Sequence, residues 1–162
     1  MLIEGVCINA SPLIVLSKSG LHELLPQLFS EIFVPSAVWQ EVEAGGTEDP
    51  AARVLTGATW ARRVDVAVSN DVIISWNLGA GDSAVLSLAL QFPTHRAMID
   101  DAAARACART LGIATLGTGG ALVLAKRRGL ISSVADALRE VQNAGLWLSD
   151  SVVQVLLKSA GE

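Results

Sequence analysis

Two adjacent carboxylates, Asp100 and Asp101, follow the short apolar run 97–99 and precede a helix-forming segment at residues 102–109. A buried parallel strand followed directly by a helix brings its last side chains to the carboxyl edge of the sheet, where open α/β folds keep their sites. An Asp at the start of a helix is also an ordinary N-cap, because its carboxylate accepts backbone N–H bonds. The pair alone therefore leaves a chemical and a capping interpretation open.

Other oxygen-bearing side chains occupy similar positions along the chain. Asn9 and Ser11 follow the first apolar run, and Asp82 lies in the first turn of an apolar helix after a glycine-rich loop. Glu41 lies in a further helical segment. Carboxylates gathered in one cleft repel each other unless a divalent cation neutralises them, and Mg²⁺ and Mn²⁺ prefer oxygen ligands. If these groups converge, the pattern indicates metal-assisted attack on a phosphodiester.

Alternating strand and helix patterns position these residues. Mostly apolar runs predict strands at residues 3–8, 32–34, 60–66, 97–99 and 113–116. The segments between them predict helices, of which the first has Ser11 as its N-cap, while residues 72–78 fit either type. The alternation predicts an α/β fold with a mainly parallel sheet. No internal repeat or linker interrupts the pattern, so we predict one domain over residues 1–162.

Composition limits the classes of protein that remain. The 162 residues suffice for one domain, and 51% hydrophobic with 17% charged residues excludes a disordered chain. No apolar run approaches the roughly 20 residues that span a bilayer, and no signal peptide is evident, so we expect a cytoplasmic protein with buried free Cys7 and Cys107. The net charge of −4 argues against a protein that coats polyanions, but allows acids clustered around metal ions beside a local basic patch.

Other kinds of site are poorly supported. The glycine-rich segments 79–81 and 117–120 lack the dinucleotide fingerprint and the P-loop lysine, and no cysteine or histidine cluster has zinc spacing. With 4% aromatic residues and no tyrosine, base stacking is not expected as the main mode of nucleic-acid binding. Lys126 lies in a basic run at a helix end, where it can stabilise the helix dipole or contact a phosphate.

Several segments occur in the same order in a known family. They are NASPLI (9–14), VP (34–35) leading to VWQEV (38–42), LGAGDSA (78–84), IDD (99–101) with AR (104–105), LG (111–112), GT (117–118) and AKRRGLI (125–131). Over nearly the whole chain they resemble the PIN-domain family, in particular a prokaryotic subfamily similar to the VapC toxins of toxin–antitoxin pairs. The resemblance implies a three-layer α/β/α sandwich and a Mg²⁺- or Mn²⁺-dependent ribonuclease. It also implies a homodimer and a small antitoxin protein as inhibitor.

The resemblance also assigns site residues by position. It implies catalytic roles for Asn9, Glu41, Asp82 and Asp101, metal binding by Glu41, Asp82, Asp100 and Asp101, and substrate contacts by Ser11, Arg105 and Lys126. The family usually has Asp where this chain has Asn9, and Glu is common in place of Asp82. An amide offers a metal its carbonyl oxygen but no negative charge, so the substitution at Asn9 predicts weaker metal binding.

Three functions are consistent with the sequence. The leading hypothesis is a toxin-type endoribonuclease that hydrolyses RNA with a carboxylate-bound Mg²⁺ or Mn²⁺. The alternative is a catalytically weak or inactive PIN-like module that binds RNA or a partner protein and acts in regulation. The third is an unrelated α/β domain in which the acids are ordinary helix caps, and it predicts that Glu41, Asp82 and Asp101 lie far apart.

Overall fold

Five strands form one sheet in the computed structural model, which describes residues 5–162, and every strand pairing is parallel. The strands are β1 (Gly5–Ile8), β2 (Glu31–Pro35), β3 (Ala61–Val64), β4 (His95–Met98) and β5 (Thr115–Leu116). Their order in the sheet is β3-β2-β1-β4-β5. The chain therefore extends the sheet on one side of β1 and then returns to extend it on the other, so the strand order reverses between β1 and β4.

Residues 5–162 also form ten helices, most of them in the connections between successive strands. They are α1 (Ala10–Lys18), α2 (Leu24–Leu28), α3 (Ser36–Glu43), α4 (Pro50–Gly57), α5 (Asp71–Ser75), α6 (Ala80–Gln91), α7 (Ala102–Thr110), α8 (Thr118–Arg127), α9 (Val134–Asn143) and α10 (Asp150–Ser159). The arrangement is a three-layer α/β/α fold with the parallel sheet in the middle, which confirms the predicted fold class. Within these residues no helix combines the length and apolarity needed to cross a membrane.

The core lies around the central strands β1 and β4. All four residues of β1 are buried, as expected for a parallel strand covered on both faces. Helix α6 packs across β1, β2 and β4 and is buried continuously over residues 83–89, so it is an interior helix rather than a surface helix. Cys7 and Cys107 are free and buried in this core, as predicted. Burial, followed by the charge of Glu31, raises the pKa of Cys7 to about 12, so its thiol stays protonated.

Apart from strand ends that differ by one or two residues, two local features of the sequence analysis are resolved by the structure. The expected cap at Ser11 is wrong: α1 begins at Ala10 with Asn9 as its N-cap residue, so Ser11 lies exposed in the first turn. The following Pro12 is tolerated there because first-turn N–H groups have no partner within the helix. The ambiguous segment 72–78 begins as a helix, since the Asn70 side chain accepts hydrogen bonds from the first-turn N–H groups of α5. Residues 3 and 4 of the first predicted strand lie outside the described residues.

Candidate active site

The two central strands end side by side at the carboxyl edge of the sheet. Ile8 is the register partner of Met98, and the Asn9 N–H donates to the Met98 carbonyl oxygen at 3.0 Å. Asn9 and the pair Asp100 and Asp101 therefore leave the sheet at the point where the strand order reverses. In open α/β sheets this reversal opens a crevice in which ligands bind.

Asn9 lies next to residues of two other helices. Its Nδ2 donates a hydrogen bond to Asp82 Oδ1, while its own Oδ1 is buried and accepts no hydrogen bond from residues 5–162. A Cβ atom added to Gly81 would lie 2.9 Å from Asn9 Oδ1 and 3.1 Å from Glu41 Oε2. Only glycine fits there without displacing those oxygens, so α6 begins directly against Asn9 and Glu41.

The pKa of Asp82 shows how crowded the acids are. It is raised from 3.8 to about 6, first because the carboxyl group is partly buried and then because Asp101 and Glu41 place negative charge beside it. Glu41 comes from α3, Asp82 from α6 and Asp101 from the start of α7, so three separate segments bring acids to one crevice. Asp101 and Glu41 are thus close enough for their charges to act on Asp82, which differs from the wide separation that the unrelated-domain hypothesis predicts.

Asp100 and Asp101 have different surroundings. Both carboxylate oxygens of Asp100 accept hydrogen bonds from the fully buried Thr118, at 2.8 Å from its N–H and 2.6 Å from its Oγ1, and so tie the end of β4 to the start of α8. Asp101 uses Oδ2 to cap α7 through the Ala104 N–H at 2.9 Å, and its Oδ1 has no hydrogen-bond partner in the described chain. Asp101 is therefore a helix cap and Asp100 a link between two segments, but only Asp101 keeps an oxygen free for a ligand.

The side-chain oxygens of the crevice are of the kind that binds a divalent cation, but they are not spaced like the ligands of one ion. Within residues 5–162, no group of three or more His, Cys, Asp or Glu side chains has the spacing that would hold a metal ion. The crevice nevertheless combines three neighbouring acids with the unpartnered buried oxygen of Asn9. A cation would relieve both the repulsion and the missing hydrogen bond, and carboxylate with amide oxygens suit Mg²⁺ or Mn²⁺. The residues therefore fit such an ion chemically, although the acids lie farther apart than the ligands of one ion would.

The residues predicted to contact substrate are dispersed. Ser11 is exposed two residues after Asn9, at the same edge of the sheet. Arg105 donates from Nη1 to the Ile99 carbonyl oxygen at 3.3 Å and lies beside the turn before α8. Lys126 is about 12 Å along α8 from Thr118, in the last turn, where its Nζ contacts Glu162 Oε2 at 2.8 Å. The structure thus brings Ser11 and Arg105 to the edge that carries the acids, and Lys126 to the far end of a helix.

Sequence reasoning missed a groove beside the acids. A cavity of about 650 Å³ opens next to Asp100 and Asp101, and its walls include Arg105, Arg109 and Trp147. Arg109 was detectable, since it follows Arg105 by one helical turn and so shares its face. Trp147 was not, because nothing in its short apolar segment distinguishes an exposed tryptophan from a core residue.

Comparison with known proteins bears on the family of this chain. A family model described as PIN domain matches residues 5–162, which include all five strands and every acid of the crevice. Searches of curated proteins and of solved structures found no match. The match confirms the resemblance inferred from the ordered motifs. The chain therefore belongs to the PIN-domain family.

Proposed function

We propose that this protein is a divalent-metal-dependent endoribonuclease of toxin–antitoxin type. The PIN-domain family supports a nuclease in general terms. The proposal goes further than the family match in three respects. It takes RNA as the substrate, Mg²⁺ or Mn²⁺ as the cofactor and a toxin as the role. On the same resemblance we propose a cytoplasmic location, a homodimer and a small antitoxin protein as partner.

The observation that carries the proposal is the crowding around Asp82. Its pKa is raised towards neutrality by burial and by the charges of Asp101 and Glu41, and the adjacent Asn9 Oδ1 is buried without a hydrogen-bond donor. A domain that used these acids only as caps would have no reason to gather them from three segments. Such a cluster is costly without a cation and favourable with one.

Within the proposed mechanism, Glu41, Asp82 and Asp101 would hold the cation by coming closer together than they lie in this structure, and Asn9 would add a neutral oxygen. When bound, the cation offsets the negative charge of the acids and of the scissile phosphate. The hydrogen bond from Asn9 Nδ2 fixes the orientation of the Asp82 carboxylate.

Three further residues support this arrangement. Asp100 acts as a positioning residue, because its bonds to Thr118 fix the turn that carries Asp101. Ser11 and Arg105 are proposed to contact the phosphate, since both lie at this edge of the sheet. Lys126 is not included, because it is paired with Glu162 at the distant end of α8.

Cleavage of labelled RNA by the purified protein in Mn²⁺, in Mg²⁺ and in EDTA tests the proposal. We expect metal-dependent cleavage that Glu41→Gln and Asp101→Asn each abolish. Glu43→Gln is the matched control, because Glu43 lies on the same helix but bonds the Trp39 side chain at 2.9 Å instead of facing the crevice. Cleavage that persists in EDTA and in both variants would reject the metal-dependent mechanism.

A second candidate is a catalytically weak or inactive PIN-like module that binds RNA or a partner protein. It is favoured by the neutral Asn9 and by the absence, within residues 5–162, of three acids at metal-binding distance from one another. Calorimetric titration with Mn²⁺ separates the two candidates. Binding that Glu41→Gln weakens supports the nuclease, while no detectable binding by the folded protein supports the module.

A further inference from the structure

The groove beside the acids has three components, which we name together the Trp147 groove. Arg105 and Arg109 of α7 line one wall, the glycine-rich start of α8 provides a surface with few side chains, and Trp147 and Leu156 line the opposite wall. Asp101 belongs both to the acid crevice and to the lining of this groove, so the two adjoin each other. A polymer whose phosphodiester reaches the acids therefore has this groove available for its next residues.

The opposite wall is held in place by close helix packing. A Cβ atom at Gly119 would come within 2.5 Å of Leu156 Cδ1, so the glycine allows α10 to pack against α8. The segment between α9 and α10 is anchored by the buried Leu146 before Trp147 and the half-buried Leu148 after it. Trp147 thus has a fixed backbone although its side chain is 82% exposed.

The wall formed by α7 carries two arginine side chains, and the carboxylates of Asp100 and Asp101 also line the groove. The Arg109 side chain forms no hydrogen bond or ion pair within the described chain, and the Arg105 side chain bonds a backbone carbonyl but no carboxylate there. The two residues are one turn apart, about 6 Å along the helix. Two cations at this spacing favour an anionic polymer over an apolar peptide, even though the opposite wall is largely apolar.

We propose that the Trp147 groove binds the single-stranded RNA segment adjoining the cleaved phosphodiester, with Trp147 stacked on one base and Arg109 in contact with a backbone phosphate. The inference rests on the proposed function, because it takes RNA as the substrate of the acid crevice. Proteins bind single-stranded nucleic acid without base-specific hydrogen bonds by combining exposed aromatic rings with cationic side chains, and Trp147 beside Arg109 offers this combination. A single ring also agrees with the low aromatic content, which argues against stacking along a whole strand.

Binding is measured separately from cleavage, by fluorescence anisotropy of a labelled oligoribonucleotide of about ten nucleotides in EDTA. We expect Trp147→Leu to weaken binding roughly tenfold and Trp147→Phe to retain most of the affinity, because a phenyl ring also stacks. Trp76→Leu is the matched control, since Trp76 is 36% exposed but does not line the groove. Thermal unfolding of each variant verifies that it is folded.

Two further measurements separate stacking from charge. A ribose–phosphate oligomer without bases is expected to bind the wild type and Trp147→Leu equally. Arg109→Gln is expected to reduce the slope of log affinity against log salt by about 0.7, and Trp147→Leu to leave it unchanged.

Two outcomes would overturn the proposal, and a third would separate it from the proposed nuclease activity. If Trp147→Leu binds the oligoribonucleotide as tightly as the wild type, the proposed stacking contact is rejected, whether or not the protein cleaves RNA. Failure of the folded wild type to bind the oligoribonucleotide, together with a dimer that Trp147→Leu converts to a monomer, would identify the groove as an interface between copies of this chain. Binding that depends on Trp147 in a protein that never cleaves would keep the groove and reject the nuclease.

Discussion

Asn9 and Asp82 lie 73 positions apart in the chain and are joined by a hydrogen bond from the Asn9 amide to the Asp82 carboxylate. The amide does what a carboxylate at this position could not do at neutral pH, since it donates to Asp82 and adds no charge to the crevice. Because burial and then the charges of Asp101 and Glu41 already raise the pKa of Asp82, a fourth acid here would increase the repulsion. The asparagine is therefore consistent with a protein that is stable without its cation.

Asn9→Asp should make the metal-free protein less stable and increase the stabilisation that metal binding gives. Without metal we expect the free energy of unfolding to fall by about 1–3 kcal/mol, since the variant loses a donor and brings a fourth carboxylate against Asp82. With saturating Mn²⁺ the variant should gain more stability than the wild type, because the ion then has four carboxylates nearby. Urea unfolding in EDTA and in Mn²⁺ measures both effects. Asn143→Asp, an exposed change in the last turn of α9, is the control, and equal Mn²⁺ stabilisation of all three proteins would contradict the prediction.

Asp82 should make the metal-free protein less stable as the pH rises. Its pKa in the folded chain, about 6, exceeds the 3.8 of an ordinary Asp, so the folded state binds this proton more tightly. The stabilising contribution is complete below pH 3.8 and is lost as the pH passes through 6. We expect Asp82→Asn to be more stable than wild type at pH 7 in EDTA by about 1–2 kcal/mol, a figure reduced for partial solvent screening.

Denaturant unfolding of Asp82→Asn and wild type between pH 3.5 and 8, at roughly half-unit steps, measures this difference across the titration. The two curves should meet at the acidic end and separate with rising pH. Asp71→Asn is a suitable control, because Asp71 is exposed in the first turn of α5 and is not among the acids that raise the pKa of Asp82. A constant difference at all pH values would show that Asp82 has an ordinary pKa.

Much of the fold follows from local patterns in the sequence. Strands β1, β2 and β4 overlap the predicted apolar runs, although β4 begins two residues before its run. Because parallel strands end at one edge of a sheet, the pattern allowed Asn9 to meet the pair Asp100 and Asp101 but did not show that they do. The sequence allowed either a strand or a helix at 72–78. The segment begins as a helix because Asn70, a capping residue just before it, accepts two backbone N–H bonds with its side-chain oxygen.

The rest of the site depends on contacts between distant segments. The sequence did not distinguish the roles of Asp100 and Asp101. The roles differ because Asp100 accepts hydrogen bonds from Thr118, which follows another strand. The basic run that contains Lys126 resembles a phosphate contact until Glu162, 36 positions later, is seen to pair with it. Whether an apolar side chain such as Trp147 is covered depends on the packing of α10 against α8, which periodicity does not reveal.

The two adjacent aspartates should respond differently to the same substitution. Asp101→Asn should lower RNA cleavage about 100-fold or more while leaving stability nearly unchanged, since Asn caps a helix well but lacks the charge for a cation. Asp100→Asn should instead lower the unfolding midpoint and keep measurable cleavage, because it weakens the bonds to Thr118. Cleavage rates and thermal unfolding of both variants test this assignment. Equal loss of cleavage in both, at unchanged stability, would make Asp100 a ligand as well.

Glu162, which lies far from the crevice, should make the protein more stable as the pH rises, whereas Asp82 should make it less stable. Its pKa is lowered from 4.5 to about 2, first by the hydrogen bond from Lys126 and then by the N–H groups of Val134 and Ala135 at the start of α9. A carboxyl whose pKa falls on folding stabilises the protein above pH 4.5, and this contribution disappears as the pH falls through 2.

Glu162→Gln should therefore be less stable than the wild type at neutral pH and equal to it in strong acid. The Lys126→Met variant should show part of the same loss, because it removes the largest cause of the shift and leaves the bonds to α9. RNA cleavage should stay at the wild-type rate in both variants, since neither residue reaches the acids. A drop in cleavage at unchanged stability in Lys126→Met would instead return Lys126 to the substrate-binding residues.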